Sequence, residues 1–201
     1  MNLLSRSRWC VSAVFAFGAL ACSDPVPPAA QGAFIANVKS GVPGKICPSG
    51  QSITYDVPHE DPIQDATKIL DKDTYVDHLT DGAEGAAVRC TVRGGSTFTF
   101  DGLVKSGTKG HSLEITSGTL AENKKGTARI TLTKSDDPGF SHAMTAPTTN
   151  LCTIDAAPTA SNAFQVKAGS MWASFSCPMV VAEPSDGCAA DGFFVLENCV
   201  Q

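Results

Sequence analysis

Over most of this chain apolar and polar residues alternate one by one, and few folds tolerate that pattern. Ala128, Ile130 and Leu132 share one parity, while Thr127, Arg129, Thr131 and Thr133 share the other. Successive side chains of a strand point to opposite faces, so such a run is a strand buried on one face and wet on the other. The same logic recurs in Phe34, Ala36 and Val38; Ile53, Tyr55 and Val57; Val88, Cys90 and Val92; Phe98, Phe100 and Val104; Leu113 and Ile115; Phe164 and Val166; and Met171, Ala173 and Phe175. These segments predict at least eight strands.

Turn residues separate the runs at short intervals. Gly94-Gly95 is a two-residue hairpin signal of the kind that needs positive φ, Gly107 to Gly110 and Glu122 to Gly126 mark the next boundaries, and Ala168-Gly169-Ser170 joins a later pair. Residues 87–134 therefore read as a four-stranded antiparallel meander. One sheet alone would leave its apolar face in water, so the expected fold is all-β, an antiparallel β-sandwich or small barrel. Residues 58–86 interrupt the alternation: Asp61-Pro62 starts a short helix with Ile63, Ala66, Ile69 and Leu70 on one face, ended by Asp81-Gly82 and Gly85.

The N-terminus follows a different rule. Residues 1–8 carry Arg6 and Arg8 and no acid, residues 9–21 are thirteen apolar or small residues, and Cys22 follows Ala19-Leu20-Ala21. This is the layout of an export signal, and it is shorter than the roughly 20 residues of a spanning helix. The segment resembles the lipoprotein precursors of bacteria, in which a small-residue box ends at a cysteine that receives diacylglycerol through a thioether and is then N-acylated. It departs from the commonest pattern in having Ala19 where leucine is usual, with Leu20 one place later. The resemblance implies a signal peptide at residues 1–21, a lipid on Cys22 and a membrane partner held through that lipid. Ser23 follows the cysteine and Asp24 comes one place too late for inner-membrane retention, so the implied site is the outer membrane, facing periplasm or cell surface. Residues 23–31 hold Pro25, Pro27 and Pro28 and read as an extended tether of about 3 Å per residue, standing the domain of residues 32–201 roughly 30 Å off the bilayer.

Cysteine arithmetic fits an exported chain. Of eight cysteines, Cys10 leaves with the signal and Cys22 takes the lipid, so six remain: Cys47, Cys90, Cys152, Cys177, Cys188 and Cys199. An even count in an oxidising compartment reads as three disulfides. Cys90 shares its parity with Val88 and Val92, which aims it into the core, and Cys47 is its expected partner. For the others, 152 with 177 and 188 with 199, or 152 with 199 and 177 with 188, both stand.

Candidate chemistry is sparse. Without Arg6 and Arg8, 13 of the 15 basic residues face 20 acids, and residues 55–85 hold nine of those acids against Lys68 and Lys72. Asp71, Asp73 and Asp77 begin like a calcium loop, since that cation takes six to eight oxygens. Tyr75, Val76 and Gly82 then occupy positions where such a loop needs a ligand, a glycine and a bidentate glutamate, and a solvated, self-repelling loop explains the same charges. His59, Glu60, Asp61 and His78 form the other metal candidate. The four histidines, which include His111 and His142, show neither i, i+4 pairing nor an HExxH setting. Gly139-Phe140-Ser141-His142 lacks the closing glycine of a nucleophile elbow. Arg89 and Arg93 flank Thr91 on one strand face, too little for nucleic acid on an acidic chain. No cofactor motif is present.

Trp172 has the opposite parity from Met171, Ala173 and Phe175, so it points outward with Ser174 and Ser176. An open indole there would stack a sugar ring; a covering loop would make it part of the structure. Phe193 to Leu196 reads as a final strand buried on both faces. The carboxyl-terminal pattern WASFSCP, then Cys188, then GFFVLENC is similar to small cysteine-containing lipoproteins of the myxobacterial type, a resemblance of about thirty residues that brings no catalytic residue with it. The expected protein is an outer-membrane-anchored, non-catalytic binding or structural module whose partner is an envelope polysaccharide or protein. The alternative is a secreted hydrolase or calcium-dependent protein that uses residues 55–85.

Overall fold

The computed structural model describes residues 26–39, 53–57, 79–107, 110–133, 144–156, 165–182 and 185–201. Within them lie twelve strands: β1 (Gln31–Lys39), β2 (Ile53–Val57), β3 (Leu79–Thr80), β4 (Ala87–Gly94), β5 (Phe98–Lys105), β6 (Ser112–Leu120), β7 (Lys125–Thr133), β8 (Met144–Thr145), β9 (Cys152–Asp155), β10 (Gln165–Lys167), β11 (Ser170–Ala182) and β12 (Ser185–Glu197). All belong to one antiparallel sheet, in the order β2-β1-β12-β11-β8-β7-β6-β5-β4, and β9 bridges β7 and β11 beside β8. The sheet curls into a nearly closed barrel. The expected meander is present as β4 to β7. Of the interrupting segment, only residues 79–86 are described, forming β3 and a 3-10 turn at Ala83–Gly85; the expected helix falls outside the described residues.

The alternating parity becomes the wall of the barrel. On β5 the burial alternates strictly for Phe98, Phe100, Gly102 and Val104 against exposed Thr99, Asp101 and Lys105. Interior side chains from all the long strands meet in one core that includes Phe34, Phe100, Leu113, Ile115, Ile130, Leu132, Met171, Phe175, Phe194 and Leu196. Phe194 sits at its centre, 6.4 Å from the ring of Phe100 and 6.5 Å from that of Phe175 between centroids. Two glycines make room for these rings and branches. A Cβ on Gly118 would lie 2.4 Å from the Phe100 ring, and one on Gly102 would lie 2.9 Å from Leu196 Cδ1. The ladder also slips between Thr116 and Thr119, where Ser117 takes a φ of 54°, a bulge that bends β6 around the core.

The outward side chains of β4 to β7 are largely polar. A barrel set in lipid is apolar outside, whereas here the exterior carries Arg89, Arg93, Thr99, Asp101, Glu114, Thr119 and Arg129, all exposed. The outer face of β4 to β7 is a water-facing surface.

Closure depends on how the outer edge of β4 is covered, because an open edge leaves a row of unpaired backbone groups. Among the described residues no strand lies along it. Val92 N–H instead donates to Val200 O at 2.9 Å, and Val200 N–H returns to Cys90 O at 3.0 Å. Gly169 N–H donates to Val92 O at 3.0 Å, and Val88 N–H to Asp81 Oδ1 at 2.9 Å. The chain after β12 is therefore a strap across the seam, and a Cys90–Cys199 disulfide fastens it, with Cα atoms 4.8 Å apart.

This bond corrects the expected pairing of Cys90 with Cys47. Parity rightly aimed Cys90 inward, but its neighbour across the seam comes from the end of the chain. Cys152 pairs with Cys177, as one alternative had it. The neighbouring registers Thr153–Ser176 and Ile154–Phe175 put these two cysteines opposite each other on β9 and β11. Bonds between 188 and 199, 152 and 199, or 177 and 188 are thereby excluded. Cys188 is itself disulfide-bonded, and Cys47 lies outside the described residues.

Truncating Phe194, which is fully buried, should cost about 3–5 kcal/mol in guanidinium unfolding of the oxidised Phe194→Ala protein, through lost transfer energy plus a cavity. The exposed Thr99→Ala should stay within about 0.5 kcal/mol of wild type.

Candidate functional site

Two places outside the barrel interior gather functional side chains: the pole where the tether enters, and the outer face of β1, β11 and β12. The entry pole forms because β1 begins where β12 ends. Gln31 stands opposite Glu197, and Gln31 and Gly32 also pair with Thr80 and Leu79 of β3. Asn198 ends β12 with a φ of 54°, a left-handed conformation that asparagine accepts more readily than most residues. That turn aims its amide at the incoming chain, where Nδ2 donates to Ala29 O at 3.1 Å and to Gln31 Oε1 at 3.4 Å. Asp81 N–H donates to Ala30 O at 2.9 Å, so the tether is fastened from two sides.

A cleft of about 460 Å³ opens beside this junction, between Pro27 and Pro28 on one wall and Lys167, Gly169, Glu197 and Gln201 on the other. The turn joining β10 to β11 supplies its floor. Gly169 has a φ of 80°, and its carbonyl accepts from Cys199 N–H at 2.9 Å, tying the turn to the strap. Lys167 is exposed and Ser170 is buried, so the cleft offers one cation, one carboxylate and amide groups at its rim. That set can hydrogen-bond a polar headgroup or sugar.

On the outer face, Ile35, Trp172 and Val195 make a second apolar cluster, separate from the barrel core. Trp172 does point outward, as its parity requires, but it is only 4% exposed, and its indole N–H donates to Glu197 Oε1 at 3.0 Å. A ring so covered presents no face for stacking a sugar. It serves as the outer half of a strand ribbon buried on both sides, with Phe194 and Leu196 facing in and Val195 facing out. Of the residues expected to be buried on both faces, Phe194, Val195 and Leu196 are buried and Phe193 is half-buried.

Around the rest of the wall runs a row of hydroxyl groups. The registers place Thr99, Thr119, Thr127, Thr153 and Ser176 side by side across β5, β6, β7, β9 and β11, roughly 4.8 Å from strand to strand. Arg93 extends the row at one end and Asp191 at the other, where Asp191 is paired with Lys39. Only the period-two pattern hinted at this row; which threonines become neighbours depends on the register, which no local signal states.

The metal candidates do not enter this geometry. Asp71, Asp73 and Asp77, and likewise His59, Glu60, Asp61 and His78, lie outside the described residues. Among the described residues no group of three or more histidine, cysteine, aspartate or glutamate side chains could hold a metal ion. His111 is buried at the turn between β5 and β6, where its carbonyl accepts Ser106 N–H at 2.9 Å. Cys22 also lies outside the described residues.

Trp9 and Trp172 are the chain's two tryptophans, so a Trp9→Phe background isolates the second. Its emission should be blue-shifted and resist acrylamide, and strong quenching would return Trp172 to the role of an open platform. No protein family, curated protein or solved structure matches this chain.

Proposed function

We propose that this protein is a lipid-anchored module of the cell envelope, attached to the outer membrane through Cys22, and that its barrel binds or scaffolds an envelope polysaccharide or protein without performing chemistry. The observation that carries the reading is the junction of sequence and fold at the N-terminus. An export-type segment ends at Cys22, and the proline-containing chain after it runs directly into β1 at Gln31. Oxidised cysteines support export, because disulfides persist outside the reducing cytosol: five of the six expected to pair are bonded among the described residues. Leaving Cys22 out of the bonding keeps the count of the remaining six even.

A non-catalytic role is supported by what fills the molecule. The interior is packed with side chains, so the surface that this reading offers to a partner is the hydroxyl row on the wall. Triacylation would supply several apolar chains, more than the two signals that stable anchoring requires.

The test is the intact mass of the detergent-extracted protein. It should correspond to a chain beginning at Cys22 plus acyl groups, and Cys22→Ala should move the protein from the membrane to the soluble fraction. A chain that keeps residues 1–21, or one cut at Cys22 without acyl mass, would rule out the lipid anchor.

A further inference from the structure

We infer that the entry pole of the barrel is a membrane-contacting surface, seated on the headgroup layer of the bilayer that holds the lipid of Cys22; this rests on the anchor proposed above. The sequence alone predicts a stand-off of about 30 Å, with the whole of residues 22–31 as free tether. The structure takes half of that length away. Pro27 and Pro28 line the entry cleft, Ala29 O accepts from Asn198, Ala30 O accepts from Asp81, and β1 has already begun at Gln31.

Only the five peptide steps from Cys22 to Pro27 remain, and a fully extended chain covers at most about 18 Å in that distance. Headgroups occupy roughly 6 Å on each side of a bilayer, so the pole has about 12 Å of water or less beneath it. A tether that short cannot let the barrel turn its opposite end to the membrane: β1 runs about 27 Å from Gln31 to Lys39.

The chemistry of the pole fits that position. Large apolar side chains left in water are few among the described residues, and two of them, Val26 at 89% exposure and Val200 at 61%, flank this cleft in sequence next to its lining residues Pro27, Cys199 and Gln201. Lys167, exposed on the rim, supplies a cation for anionic headgroups. Aliphatic side chains and a lysine at one end of a molecule tethered by that same end make an interfacial contact. The opposite end, with Lys39 and the paired Ala182 and Ser185, then faces away from the membrane and toward other envelope components.

Photo-crosslinking on the full-length protein in its native membrane tests this. A diazirine amino acid is placed at Val200, at Val26 or at Lys39, all exposed positions, and captured lipid is read by mass spectrometry together with the acyl state of Cys22. Lipid capture at both Val200 and Val26, and none at Lys39, is the expected result. Acylated protein that captures lipid at Val26 alone, equally at all three positions, or at none would overturn the seating while leaving the anchor intact. Protein without acyl mass on Cys22 would overturn both.

Discussion

The Cys199–Val200 strap across β4 is the contact on which the rest of this structure depends. The strands would form a curled sheet without it, but that sheet would end in an exposed edge at β4, with its apolar inner face open along one side. Two backbone hydrogen bonds to Val200 and one from Gly169 cover the edge, and the disulfide to Cys90 holds the strap in place. The bond joins residues 109 apart in sequence. A loop of that length restricts the unfolded chain by about 4–5 kcal/mol in the chain-entropy treatment, as much as a large core side chain contributes by packing.

The strap also organises the entry pole. Cys199 N–H donates to Gly169 O, and Gly169 N–H to Val92 O, so the β10–β11 turn, the strap and β4 form one hydrogen-bonded unit. Asn198, immediately before the strap, fastens the tether. The features that close the barrel are therefore the ones that fasten residues 29–30 and form the cleft.

Legibility from the sequence follows the range of the interactions. Strands β4 to β7 could be read because their alternation is local and Gly94-Gly95 and its counterparts mark each turn. The burial of Phe194 to Leu196 on both faces was legible in an unbroken apolar run. Short strands such as β3 and β8 were not, since two residues carry no period; they exist because neighbouring strands offer them backbone partners. Trp172 shows the limit of parity. The pattern says which way a side chain points, and burial depends on what else reaches that face. Cysteine pairing shows it again. Cys152 and Cys177 fell within one of two alternatives, whereas Cys90 was given the wrong partner because Cys199 lies beyond the last strand, where no periodicity bears on its position. The contacts of Ala29 and Ala30 with Asn198 and Asp81 were hidden for the same reason, being distant in sequence.

The most direct test of this account is the disulfide map of the purified oxidised protein, obtained by proteolysis without reduction and mass spectrometry of the linked peptides. The account predicts one species joining the peptide of Cys90 to that of Cys199. Finding Cys90 joined to Cys47, or Cys199 joined to Cys188, would contradict it, because the strap would then not lie along β4 and the barrel would have to close by another route.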